Sequence, residues 1–209
     1  MSDFTYVNLI LTKDVDIAKK HLEDSEVYML NISDKWSCIL TENDEREYDF
    51  GEYLQEEPFS DELLSLSEKI PIFYLSHPED HGFGYSILHN GKVVSSFDIG
   101  YGIEEELPAD NRNEGISKVF SKVNPENFKL FGYSEEVINQ LKRLLKPENI
   151  PGTDDFWKDF YKELLNDTYV LSTWQAMPSI FMKILDIENV TFISWDYVDS
   201  DPESYSLIE

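Results

Sequence analysis

The chain has 209 residues, with 17 Lys and Arg against 42 Asp and Glu, giving a formal net charge of −25 and a pI ≈ 4.3. A surface this acidic repels phosphates and anionic headgroups, which excludes nucleic acid and membranes as partners and favours basic ones. Hydrophobic residues at 41% and aromatics at 14% supply enough apolar area for a real core, so an ordered fold is expected despite the charge.

The acids are spread unevenly. Residues 1–69 hold 18 acids against 6 bases, 70–152 hold 12 against 8, and 153–209 hold 12 against 3. No apolar run approaches the ~20 residues of a bilayer-spanning helix. Met1-Ser2-Asp3-Phe4 lacks the basic and apolar pattern of a secretory leader. With Cys38 as the single cysteine, an intrachain disulfide is impossible and a reducing, cytoplasmic compartment is expected.

Phe4–Leu11 is β-branched and aromatic and predicts a first strand. Thr12 offers an N-cap to a short helix ending near Glu23, with Asp14 and Asp16 in its first turn and Ile17, Ala18 and Leu22 as its apolar stripe. Glu26–Ile32 and Lys35–Thr41 pair as a hairpin around Ser33-Asp34. The stretch Glu42–Glu62 then carries ten acids against Arg46 alone, interleaved with Tyr48, Phe50, Tyr53, Leu54 and Phe59. Ser60 caps a helix over Asp61–Lys69 with Leu63, Leu64 and Leu66 facing inward.

Pro71–Ser76 is a short strand, followed by Phe83–His89 and Lys92–Asp98 flanking Asn90-Gly91. An Asn-Gly loop of two residues selects a type I′ turn, because both positions need positive φ. Past Glu104–Pro108 the periodicity becomes helical. Ile116, Val119, Phe120 and Val123 form one stripe; Val137, Ile138, Leu141, Leu144 and Leu145 form a second behind Ser134; Phe156, Trp157, Phe160, Tyr161 and Leu164 form a third. Pro178 suits the first turn of a helix through Leu185, and Val190–Val198 predicts a closing strand before the acidic end 199–209. The expected fold is therefore α+β, with a mainly antiparallel sheet in the N-terminal two-thirds and a helix-rich C-terminal part with a closing strand. It forms one domain over 1–209, with a subdomain boundary at 149–152, where Asn149-Ile-Pro-Gly152 breaks the helical pattern.

Several chemical motifs carry less than they suggest. His77-Pro-Glu-Asp-His81 brings two histidines and two acids into one connection, but zinc needs three or four converging ligands and Pro78 breaks the single helix face that would aim both rings. A polar turn with solvated histidines is the simpler reading, and adding His89 at the hairpin tip does not change it. Gly82-Phe-Gly84 leads into a strand and Gly100-Tyr-Gly102 into three glutamates, so neither cradles phosphate. Cys38 has Lys35 as its only basic neighbour and fits a core position better than a nucleophile. Tyr85, Phe97 and Tyr101 have faces that stack on sugars, and are equally ordinary sheet residues. Asp199-Ser-Asp201-Pro-Glu203 lacks the glycine and bidentate Glu of a calcium loop. No cofactor or metal is expected, and no catalytic residue is assigned.

The remaining feature is the acidic–aromatic stretch. Its bland reading is solubility. The sharper one is a docking face in which Glu45, Glu47, Glu56 and Glu57 steer a basic protein while Tyr48, Phe50, Tyr53 and Phe59 supply apolar anchors. Two roles fit that physics: an immunity or inhibitor protein that neutralises a basic partner such as a nuclease toxin, and a nucleic-acid mimic aimed at a DNA-binding protein. The alternative is a hydrolase-type enzyme using carboxylate or His77/His81 chemistry.

Overall fold

The computed structural model describes residues 4–23, 25–41, 59–78, 82–100, 122–145, 173–191, 193–195, 198 and 206–207. Within them, strands β1 (Phe4–Leu11), β2 (Val27–Asn31), β3 (Trp36–Thr41), β4 (Ile72–Pro78), β5 (Gly82–His89), β6 (Lys92–Gly100) and β7 (Ser206–Leu207) form one sheet in the order β6-β5-β4-β1-β3-β2-β7. Every pairing is antiparallel. The α-helices among the described residues are α1 (Val15–His21), α2 (Asp61–Ser67), α3 (Glu135–Leu144) and α4 (Thr173–Leu185). The fold is α+β, as the sequence predicts.

Both faces of the sheet are covered, which explains why β1 and β4 are apolar almost without interruption. Side groups alternate across a strand, so Val7 and Leu9 of β1 and Phe73 and Leu75 of β4 enter one core, shared with α3 and α4. Tyr6, Ile10, Ile72 and Tyr74 enter the other, shared with α1 and α2. The first core is strongly aromatic: Phe73 lies within 6.3 Å, centroid to centroid, of Trp36, Tyr85, Phe128, Phe131 and Phe181.

Local signals set several boundaries. Ser60 caps α2, its hydroxyl accepting the Leu63 N–H at 3.3 Å, and Ser134 caps α3, accepting the Val137 N–H at 3.4 Å. Asn90 and Gly91 take φ of 55° and 72°, so the β5–β6 turn has the backbone its sequence predicts. A Cβ on Gly91 would also come within 3.2 Å of Glu68 Oε1. Glu68 is flexible and can yield, so backbone strain dominates the effect of a larger residue there. Gly91→Val is expected to lose about 2 kcal/mol, because a β-branched residue at positive φ is strained. The shift of the denaturation midpoint measures it.

Other expectations are corrected. Thr12 does not cap α1: a 3-10 turn over Thr12–Asp14 comes first, and the cap position is Asp14, whose carboxylate makes no capping hydrogen bond. The Thr12 hydroxyl instead donates to the Ser33 carbonyl at 3.2 Å and lies 3.2 Å from Ser37 Oγ, partners brought by the distant β2–β3 hairpin. Pro178 lies inside α4, which starts at Thr173. Proline removes an i→i−4 bond, but burial of Met177, Ile180, Phe181 and Leu185 on the sheet offsets that loss. The described residues of 190–198 form no strand. Val190, Ile193 and Val198 are buried, and the Tyr6 N–H donates to the Ile193 carbonyl at 2.8 Å where β1 runs past the described pairing of β3. A two-residue pairing with β2 falls instead at Ser206–Leu207. Of the stripe Ile116, Val119, Phe120 and Val123, only Val123 is described: it lies outside any helix and packs, half-buried, against the first core. The rest of that stripe, the stripe of 156–164 and the boundary at 149–152 lie outside the described residues.

A 3-10 segment, Pro125–Phe131, precedes α3 and is tied to it by charge. Lys129 Nζ sits 2.5 Å from Glu126 and 2.6 Å from Glu135, and Lys142 also pairs with Glu126. Hydrogen bonds from Lys129 and Lys142 hold the Glu126 carboxyl down to about 2, against an ordinary 4.5. A carboxyl with a depressed folded value stabilises the fold above its unfolded value, and that contribution disappears as pH falls through the folded one. Glu126→Gln should therefore flatten the acid limb of the stability curve between about pH 4.5 and 2, leaving the slope near neutrality unchanged. Urea denaturation across that window is the check.

Candidate functional site

Strand register places the connections at two opposite ends of the sheet. Phe4 pairs with Pro78, Val27 with Thr41, and Gly82 with Gly100. The backbone therefore leaves the sheet at one end after Thr41, Pro78 and Gly100, and enters it there at Phe4, Val27 and Gly82. Ser206–Leu207 pairs with Met29 and Tyr28, beside Val27 near the same end. At the other end lie Leu11, Asn31, Trp36, Ile72, His89 and Lys92.

The sequences attached to the two ends differ sharply in charge. The connection 42–58 carries eight acids against Arg46, residues 79–80 are Glu and Asp, and 101–121 carry five acids against two bases. Asp196, Asp199, Asp201 and Glu203 precede the last strand. At the opposite end, Asp14, Asp34, Glu68, Asp186 and Glu188 are nearly balanced by Lys13, Lys35, Lys69 and Lys92. Over the whole protein, the described residues include 14 of the 42 acids but 11 of the 17 bases. The described body is thus close to neutral, and the surplus belongs to the segments it holds.

Of the expected anchors, Phe59 lies within the described residues. It is 9% exposed and packs edge-on against Tyr74 at 5.3 Å, between α2 and the sheet. It fastens the C-terminal end of the acidic stretch to the second core. Glu45, Glu47, Tyr48, Phe50, Tyr53, Glu56 and Glu57 lie outside the described residues.

The chemical motifs resolve in part. Tyr85 and Phe97 are fully buried and stacked at 6.2 Å, so the sugar-stacking reading is withdrawn for both; Tyr101 lies outside the described residues. Cys38 is fully buried in the aromatic core. His77 is half-buried on β4 opposite Thr5, with its ring edge-on to Phe83 at 5.9 Å. His81 and residues 199–203 lie outside the described residues. Among the described residues, no group of three or more His, Cys, Asp or Glu is placed to hold a metal, and no helix is long and apolar enough to cross a membrane.

At the nearly balanced end, Lys35 is engaged within the fold. Its amine lies 3.3 Å from the centroid of the Tyr133 ring and 5.1 Å from that of Trp36. Burial holds the amine below its ordinary value, with Asp186 acting the other way. Burial likewise pushes the Tyr133 phenol up, as its hydroxyl donates to the Leu185 carbonyl at 2.5 Å. The Trp36 indole N–H nearby works against that rise without reaching hydrogen-bond geometry. Nothing in the sequence signals this cluster, because Lys35, Tyr133 and Asp186 meet only through the packing of three separate elements. Compared with known proteins, the sequence matches no family model, no curated protein and no solved structure.

Proposed function

We propose that the protein is a non-enzymatic acidic binding module that grips a basic protein, its most concrete form being an immunity or inhibitor protein for a partner such as a nuclease toxin. The observation that carries this is the polarity of the sheet: the connections leaving one end are acid-rich, while those at the other end are nearly charge-balanced. Carboxylates gathered on one side focus a field that raises the encounter rate of a cation-rich partner, whereas the same number spread evenly would only solubilise. Tyr48, Phe50 and Tyr53 then supply the desolvated contacts that dominate binding energy, with Phe59 as the internal stem of that segment.

The test is capture from the native host at low and high salt. A basic protein retained at low salt, released as salt rises, and blocked in its own activity while bound supports the proposal. Capture that is indifferent to salt, or a captured protein that keeps its full activity in the complex, overturns the inhibitor form.

A further inference from the structure

The sequence contains a single Asn-Gly pair, Asn90-Gly91, and the fold holds it in an unusual way. Ser67, fully buried at the end of α2, grips both residues: its carbonyl accepts the Asn90 N–H at 2.9 Å and its hydroxyl accepts the Gly91 N–H at 3.0 Å. The same hydroxyl donates to the Leu64 carbonyl at 2.7 Å, so its orientation is fixed from within the helix. Asn90 itself is exposed.

We propose that Asn90 is a site of spontaneous deamidation and that the Ser67 hydroxyl sets its rate. The reaction needs no partner but water. The Gly91 backbone nitrogen attacks Cγ of Asn90, and a new bond between them closes a five-membered imide. The bond from Cγ to Nδ2 breaks, and ammonia leaves with the proton that Gly91 gave up. Water then opens the imide at either carbonyl, leaving aspartate or its β-linked isomer. Glycine favours the attack because no Cβ shields its nitrogen. In the folded protein that nitrogen is committed as a donor to Ser67 Oγ, and the turn is pinned by the Ser67 carbonyl. Both bonds must yield before the nitrogen can lose its proton and swing onto Asn90. The product matters to the fold: the β-linked isomer adds a backbone carbon that a two-residue turn has no room for.

The experiment incubates the full-length protein at mildly alkaline pH and follows Asn90 by peptide mapping, scoring aspartate and the β-linked isomer separately. The proteolytic peptide containing Asn90 gives the unrestrained rate. Wild type is expected to convert more slowly than the peptide, and Ser67→Ala roughly fivefold faster than wild type, the factor one net hydrogen bond represents. Because Ser67→Ala also loosens α2, Ser134→Ala serves as the destabilised control, since it weakens α3 without touching the turn. Conversion of Ser134→Ala at the wild-type rate supports the clamp. Equal rates for wild type and Ser67→Ala, an equal acceleration by Ser134→Ala, or an intact Asn90 in both folded Ser67 forms after the peptide has converted would each overturn it.

Discussion

Phe73→Ala is expected to destabilise the protein by about 3–5 kcal/mol, the range for removing a fully buried phenyl ring when its surroundings cannot collapse into the space. Phe73 sits on β4 with no exposed surface and contacts five aromatic rings drawn from β3, β5, the 3-10 segment and α4. Those rings are held by the sheet on one side and by helices on the other, so few can move to fill the gap. Since domains are stable by only about 5–15 kcal/mol, the variant should be partly unfolded at 37 °C or close to it. Phe73→Leu, which keeps most of the volume, should lose far less. Urea midpoints of the two variants test this; similar, small losses for both would mean that the helical layer does not close over β4 as described.

Reversal of Glu45, Glu47, Glu56 and Glu57 to Lys should slow association with a basic partner by tenfold or more at low ionic strength, on the order expected for loss of electrostatic steering. The dissociation rate should change less, because rim charges act mainly on encounter. The matched control reverses Glu62, Glu68, Glu136 and Glu188, four exposed acids of the described body, and alters net charge by the same amount. If position matters, the control quartet slows association much less and the difference vanishes as salt screens the field. If both quartets act alike, only total charge counts, and the acidity is a solubilising property.

The hairpin at Asn90-Gly91 and the caps at Ser60 and Ser134 were legible in the sequence because each is a local solution to a local demand: positive φ in a tight turn, or an unpaired N–H in a helix's first turn. The 3-10 segment Pro125–Phe131 was not legible, since Phe128 and Phe131, three apart, fit one face of an α-helix as well as of a 3-10 helix. Thr12 misled because a serine-rich hairpin from elsewhere in the sequence offered its hydroxyl better partners than the adjacent helix did. Pro178 misled because its penalty is local while the burial that offsets it is tertiary.

What the sequence alone determined is the class of fold and the sign and size of the charge, since alternation, turn residues and the acid count are properties of neighbours along the backbone. The strand order, the two cores and the choice of which connections share an end were decided by tertiary structure. Those depend on registers between residues far apart in sequence, and it is register that brings Thr41, Pro78 and Gly100, each followed in the sequence by acidic residues, to one end of the sheet.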